Sequence, residues 1–163
     1  SLHDALPISD KNIEIVVDAT GDLLMKVLKH KPFVIKPNNH ELAEMFHVKL
    51  FGTQDIVKYA KKLQEMGAKN VLISMAGDGA LFICENGKVY FSNAPKGQVK
   101  NSVGAGDSMV AGFVAGYEKT KDYVQAFRMG VATGSASAFS ENLATASEVE
   151  KLLQEIKEVE YEY

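Results

Sequence analysis

Apolar positions along this chain fall into two alternating kinds of run: short β-branched stretches that read as strands, and longer stretches with apolar residues three and four apart that read as helices. Ile13, Ile15, Val16 and Val17 form the first such strand, which ends at Asp18 and leads through Gly21-Asp22 into a helical Leu23–Lys29. Phe33-Val34-Ile35 is the next strand, closed by Pro37, and Asn38-Asn39 opens a helical pattern near His40. Ile56, Ala60, Leu63 and Met66 then repeat at helical spacing with lysines opposite, and Gly67 stops the helix before the strand Val71-Leu72-Ile73. Near-continuous apolar strands separated by helices predict a mostly parallel sheet covered on both faces. After Gly77 the pattern changes. Ala80–Cys84 and Val89–Phe91 flank Asn86-Gly87, which predicts an antiparallel hairpin with a two-residue turn. Three helices are expected beyond it, at Asp107–Lys119, Tyr123 to about Phe139 and Ser147 to about Val159. Glu155, Glu158, Glu160 and Glu162, interrupted by Lys157, read as a solvated helix face and tail. Residues 1–10 read as a linker or cloning-derived segment, and residues 11–163 as one folded α/β region without internal repeats.

Composition narrows the class. A chain of 163 residues with 46% hydrophobic and 24% charged side chains has the make-up of one globular domain. Its single cysteine, Cys84, cannot build a disulfide framework and reads as an inert strand residue. No stretch approaches the roughly 18 apolar residues of a membrane span, so a cytoplasmic protein is the simplest expectation. Eighteen basic against 21 acidic residues, a net charge of −3, argue against a nucleic-acid partner. Arg128 is the one arginine, so any bound anion must be held by lysines, backbone amides or a metal. His3, His30, His40 and His47 have no spacing suited to a metal cluster.

Three segments could carry chemistry. In Val99–Ser108 the small residues Gly104, Ala105 and Gly106 precede Asp107 at the start of an apolar helix. Unpaired amides at a helix start form an anion site, and an aspartate there can accept a proton from a hydroxyl beside the bound phosphate. The same residues would equally serve as a capping acid and a turn. The second segment, Ser74, Met75, Ala76, Gly77, Asp78 and Gly79, follows a strand end where open α/β sheets gather ligands, or is simply a tight connection. In the third, Lys36-Pro37-Asn38-Asn39-His40-Glu41, Asn38 and Glu41 could organise a hydrated Mg²⁺; alternatively Asn39 caps a helix with an acid in its first turn. Two better-known phosphate loops are absent. Gly87-Lys88 is followed by Val89 rather than a hydroxyl residue, and Met109 stands where a dinucleotide fingerprint needs glycine or alanine.

In this order, Lys36-Pro37-Asn38-x-x-Glu41, Ser74-x-x-Gly77-x-Gly79-Ala80 and Asn101–Asp107 resemble the ribokinase-like (PfkB) carbohydrate kinases. The last segment is similar to the family's C-terminal signature. The three forms together are most similar to its 1-phosphofructokinase and tagatose-6-phosphate kinase branch, with Asn101 where the wider family often has aspartate. The resemblance implies a three-layer α/β/α fold with a mostly parallel sheet and an antiparallel hairpin. It covers the C-terminal half of the family's usual length, without the lid and N-terminal half that contact sugar and often form a dimer. It implies ATP and Mg²⁺ as cofactors and a sugar phosphate as substrate, fructose 1-phosphate becoming fructose 1,6-bisphosphate. It makes Asp107 the base and the amides of Gly104, Ala105 and Gly106 the phosphoryl-binding hole. Ser74 through Gly79 would line the nucleotide with Lys36 near its phosphates, and Asn38 and Glu41 would assist Mg²⁺. The adenine would lie near the Gly130–Ser137 helix, where Ala132, Gly134 and Ser135 would leave room for a flat ring. The competing expectations are a non-catalytic nucleotide-binding module and a Rossmann-like dehydrogenase or methyltransferase domain, the latter disfavoured by the missing fingerprint.

Overall fold

A computed structural model describes residues 14–162, so the expectations for residues 1–10 and Ile13 lie outside the described residues. The chain divides into two compact units, one comprising residues up to Ile73 with Ile83–Val89, the other Ser74–Phe82 with Tyr90–Glu162. Its strands form a mixed six-stranded sheet in the order β1-β2-β3-β4-β5-β6.

The first unit alternates strand and helix: β1 (Val16–Val17), α1 (Gly21–Val27) with a 3-10 turn at Leu28–His30, β2 (Val34–Ile35), α2 (Asn39–Phe46), α3 (Thr53–Glu65) and β3 (Asn70–Ser74). Pairing is parallel, with Val16 opposite Val34 and Val34 opposite Asn70. Val34, Ile35, Val71, Leu72 and Ile73 are fully buried, as strands covered on both faces require. On α3 the buried residues Ile56, Val57, Ala60 and Leu63 form one stripe, and the helix stops one residue before Met66, which is exposed rather than part of that stripe.

Asn70 is the polar anchor of this unit. It is fully buried, donates from Nδ2 to the Phe33 carbonyl at 3.0 Å and accepts from the Glu85 amide at 3.0 Å. Its amide thereby joins β2 and the hairpin turn, and Gln64 Nε2 adds bonds to the Lys69 and Cys84 carbonyls at 2.9 and 3.1 Å. Asn70→Ala removes one buried and one part-buried hydrogen bond and is expected to cost about 1–3 kcal/mol, read as a lower denaturant midpoint with an unchanged slope. A loss below about 0.5 kcal/mol would show that the turn does not depend on this side chain.

The hairpin joins β4 (Ala80–Ile83) to β5 (Val89–Ser92). Its turn differs from the expected two-residue form. Gly87 donates to the Cys84 carbonyl and Cys84 to the Lys88 carbonyl, each at 2.9 Å, so Glu85, Asn86 and Gly87 make a three-residue loop. Gly87 takes φ +88° as its bulge residue, and the Asn86 side chain accepts from the Lys88 amide at 2.9 Å.

The second unit carries α4 (Ala105–Thr120), α5 (Tyr123–Phe139), α6 (Ala146–Leu153) and β6 (Glu158–Glu160). Phe82, Phe113 and Phe127 are fully buried, with ring centroids 5.2 and 5.6 Å from Phe82 to the other two. Helices α4 and α5 approach through glycines: a Cβ on Gly112 would lie 2.5 Å from Thr133 Oγ1, and one on Gly130 would lie 2.9 Å from the Met109 carbonyl oxygen.

The expected long third helix is corrected. It ends at Leu153, and Glu158–Glu160 pairs antiparallel with β5, Tyr90 opposite Glu160 and Ser92 opposite Glu158. Arg128 holds the intervening segment, donating from Nη2 to the Leu153 carbonyl at 3.2 Å while its Nε lies 3.3 Å from a Glu158 carboxylate oxygen.

Candidate active site

Within the second unit, Gly104 ends the loop before α4 in the left-handed region at φ +80°, a conformation that suits a residue without Cβ, and nothing lies within 4 Å of where a Cβ would point. Asn101 folds the preceding turn by accepting the Val103 amide at 3.0 Å. The Ala105 amide donates to Ser102 at 3.3 Å. Among the described residues the amides of Gly104, Gly106 and Asp107 donate to no carbonyl or side chain. These amides sit at the positive end of a 16-residue helix. Asp107 is exposed in the first turn, and among the described residues its carboxylate accepts no hydrogen bond. The alternative in which Asp107 caps α4 is therefore not what forms: Gly104 occupies the cap position.

The Ser74–Gly79 segment belongs to the same unit and resolves into two kinds of residue. Ala76–Asp78 forms a 3-10 turn in which Met75 donates to the Gly79 carbonyl at 2.9 Å, Asp78 to Met75 at 3.0 Å and Gly79 to Ala76 at 3.1 Å. Met75 is 7% exposed and Gly79 is buried, and the amides of both are taken up by the turn. Gly79, at φ +99°, packs so closely that a Cβ would overlap the Ser92 carbonyl oxygen. Ala76, Gly77 and Asp78 are exposed, and among the described residues the amides of Ala76 and Gly77 have no partner. Ser74 is half-buried.

Lys36, Asn38 and Glu41 lie in the first unit. Asn38, not Asn39, caps α2: its Oδ1 accepts the Glu41 amide and Glu41 Oε2 accepts the Asn38 amide, each at 2.8 Å. This reciprocal cap leaves Glu41 Oε1 and one lone pair on Asn38 Oδ1. No group of three or more His, Cys, Asp or Glu able to hold a metal occurs among the described residues. The set fits a Mg²⁺ that keeps most of its waters and takes its other ligands from phosphates, and does not fit an ion ligated wholly by protein. Lys36 is half-buried and among the described residues forms no ion pair.

Two of the small residues expected beside an adenine ring on α5 are packed against the protein. A Cβ on Gly134 would lie 3.0 Å from the Ala105 carbonyl oxygen and 3.1 Å from Met109 Cβ, and Ala132 is fully buried. Gly130 and Gly134 admit α4, while Ser135, the residue expected to contact the nucleotide, is half-buried. The motifs give no role to Ser108, whose hydroxyl meets Ser137 at 2.8 Å; its place directly after Asp107 is the one signal the sequence offers.

Among the described residues, two groups outside these segments titrate away from their ordinary range. Hydrogen bonds from the Thr145 amide and hydroxyl hold the Glu148 carboxyl below the usual glutamate range, and burial pushes the Cys84 thiol up. A shallow groove along α3, lined by Gln54, Val57, Lys58, Lys61, Lys62 and Glu65, includes none of the candidate residues. No described helix is long and apolar enough to cross a membrane.

Comparison with known proteins identifies the family. The profile of the pfkB family carbohydrate kinases matches residues 3–150. A 1-phosphofructokinase of Bacillus subtilis (strain 168) is 52% identical over 147 residues, covering 90% of this chain and 48% of the relative. A D-tagatose-1-phosphate kinase of Bacillus licheniformis is 33% identical, with 91% and 49% covered. The crystal structure of phosphofructokinase-2 from Escherichia coli in complex with substrates and products superimposes with a TM-score of 0.85 at 27% identity, covering 95% of this chain and 52% of that one. Arabidopsis thaliana ribokinase, at 21% identity and a TM-score of 0.80, shares the fold. The chain thus spans about half the length of the curated relatives it matches. The α/β architecture, the order of the three motifs and the family profile agree: this chain belongs to the pfkB family of carbohydrate kinases.

Proposed function

We propose that this chain is the nucleotide-binding and phosphoryl-transfer half of an ATP-dependent sugar-phosphate kinase that converts fructose 1-phosphate to fructose 1,6-bisphosphate. The observation that carries the reading is the start of α4, where amides without partners and an exposed, uncapped Asp107 share one helical turn. Phosphoryl transfer depends on positioning and on neutralising charge that spreads over the transferring oxygens. The amides of Gly104 and Gly106 point positive dipole ends at that charge without reorganising. Asp107 takes the proton from the attacking sugar hydroxyl as the new oxygen–phosphorus bond forms and the bond to the leaving diphosphate breaks. Ala76 and Gly77, in the same unit, offer further amides to phosphate. In the first unit, considered by itself, Lys36 supplies a cation and Glu41 a carboxylate oxygen that would hold a hydrated Mg²⁺.

A second reading, a nucleotide-binding module without catalysis, rests on the same unpartnered amides at the start of α4, which can bind phosphate without a base. The tagatose substrate in the relative's name is the 1-phosphate, so D-tagatose 1-phosphate rather than the 6-phosphate is the acceptor to compare. The test is calorimetric titration of the chain with MgATP, followed by assay with both sugar phosphates once the N-terminal half its relatives carry is supplied. Saturable binding and faster turnover of fructose 1-phosphate are expected. Binding without transfer to either acceptor would leave the module reading, and a folded chain that takes up no nucleotide in either form would overturn both.

A further inference from the structure

We propose that Ser137 is a positioning residue that sets the orientation of the α4 start, a role that rests on the kinase reading given above. Ser137 is 8% exposed, and a buried hydroxyl needs a partner. Its partner is Ser108, on the opposite helix, at 2.8 Å and one residue after Asp107. The α4–α5 interface also contains close approach at Gly112, Gly116, Gly130 and Gly134, which sets how near the helices come, and, at the far end of α4, the stacked rings of Tyr117 and Tyr123 with centroids 4.7 Å apart. The glycine contacts are not directional, and the ring pair lies more than two turns from the first turn of α4. The Ser137–Ser108 bond is directional, so it fixes the rotation of the first turn of α4.

The same turn of α5 also holds the other side of the loop. Lys100 and Asn101 both donate to the Ala138 carbonyl, at 2.8 and 3.1 Å. The Phe139 ring lies against Gly97 so closely that a Cβ there would lie inside the ring's contact distance. Residues 137–139 therefore grip the chain at 97–101 before Gly104 and at 108 after it. The segment between is held by three local bonds, Val103 to Asn101, Ala105 to Ser102 and Ser108 to Gly104. Loss of the downstream grip frees Asp107 and its neighbouring amides to turn together, while the helix pair stays packed.

The experiment compares the parent chain with Ser137→Ala, Ser108→Ala, the double variant and Ser137→Thr, by residue-resolved amide hydrogen exchange and by calorimetric titration with MgADP. One hydrogen bond corresponds to about 2- to 10-fold in an equilibrium. Exchange at Ser108 and Met109 is expected to accelerate by about that factor in Ser137→Ala, with Tyr117–Thr120 at the far end of α4 unchanged. MgADP affinity falls by a similar factor, the double variant is no worse than either single one, and Ser137→Thr restores the parent behaviour. Uniform acceleration along α4 would mark a purely structural residue and overturn the proposal, as would additive effects of the two alanine changes. Ser108 is half-buried at the helix surface, so Ser108→Ala tests the bond even where Ser137→Ala fails to fold. Absence of MgADP binding by the parent chain would count against the kinase reading alone, because the exchange pattern still decides whether the bond positions the turn.

Discussion

Asp107→Asn is expected to slow phosphoryl transfer by about 10²- to 10⁴-fold, the range lost when a positioned general base is removed. The substitution is nearly isosteric and asks little of the fold. Asp107 is exposed, caps nothing and is separated from the buried face of α4 that begins at Met109 and Val110. What the helix loses is one negative charge in its first turn, worth about 0.3–1 kcal/mol. The two consequences therefore separate. Turnover falls steeply, while the unfolding midpoint moves little and MgADP affinity stays within about 5-fold of the parent, since loss of a nearby negative charge does not weaken phosphate binding. Steady-state rates for the assembled enzyme, with calorimetry and denaturant titration on the same variant, give all three numbers. Turnover within 10-fold of the parent, on the scale of general-base contributions, would remove Asp107 from the role of base.

Gly79→Ala should be the most disruptive single methyl group in the second unit. The residue sits at φ +99°, and the added carbon would overlap the Ser92 carbonyl oxygen and lie 2.9 Å from Asn93 Cα. Both neighbours are backbone, and Ser92 is anchored by the β5–β6 pairing, so neither can move aside cheaply. Strain in φ alone costs about 1–2 kcal/mol. Relieving the overlap requires displacing a strand, so the total should reach several kcal/mol, a large share of the roughly 5–15 kcal/mol that holds a typical domain together. Gly77→Ala is the matched control two residues away. Nothing lies within 4 Å of a Cβ there and its φ is not positive, so its effect should stay within about 1 kcal/mol. Equal denaturant midpoints for the two variants would refute the close packing at Gly79.

The elements that were legible in the sequence are those whose signal is local. The α3 stripe, the buried β3 run and the glycine-led start of α4 all follow from spacing within one turn or one strand. The cap of α2 was legible in kind but misplaced by one residue. Two asparagines stand side by side, and it is the distance to Glu41, three residues beyond Asn38, that selects between them. Strand β6 was missed because glutamates with an intervening lysine also describe a solvated helix. The period-two alternation of Glu158-Val159-Glu160-Tyr161 becomes a strand only through pairing with β5, a partner almost 70 residues away in the chain. The small residues of α5 are ambiguous for a related reason. Small residues on a helix signal close approach without naming what approaches, and on α5 it is α4. At the candidate site, residue types were legible while their hydrogen bonds were not. Met75 and Gly79 are taken up by the fold, leaving Ala76, Gly77 and Asp78 facing outward.

Strand β6 has a practical bearing on handling the protein. It is three residues long, carries glutamate at both ends, and turns Val159 outward at 61% exposure. A short charged strand of this kind discourages other chains from adding to the sheet. A shortened version of the chain ending before Glu158 would uncover the main-chain groups of Tyr90, Phe91 and Ser92 and leave Arg128 without its carboxylate. Such a product would precipitate or self-associate during purification even where every residue of the candidate site is intact.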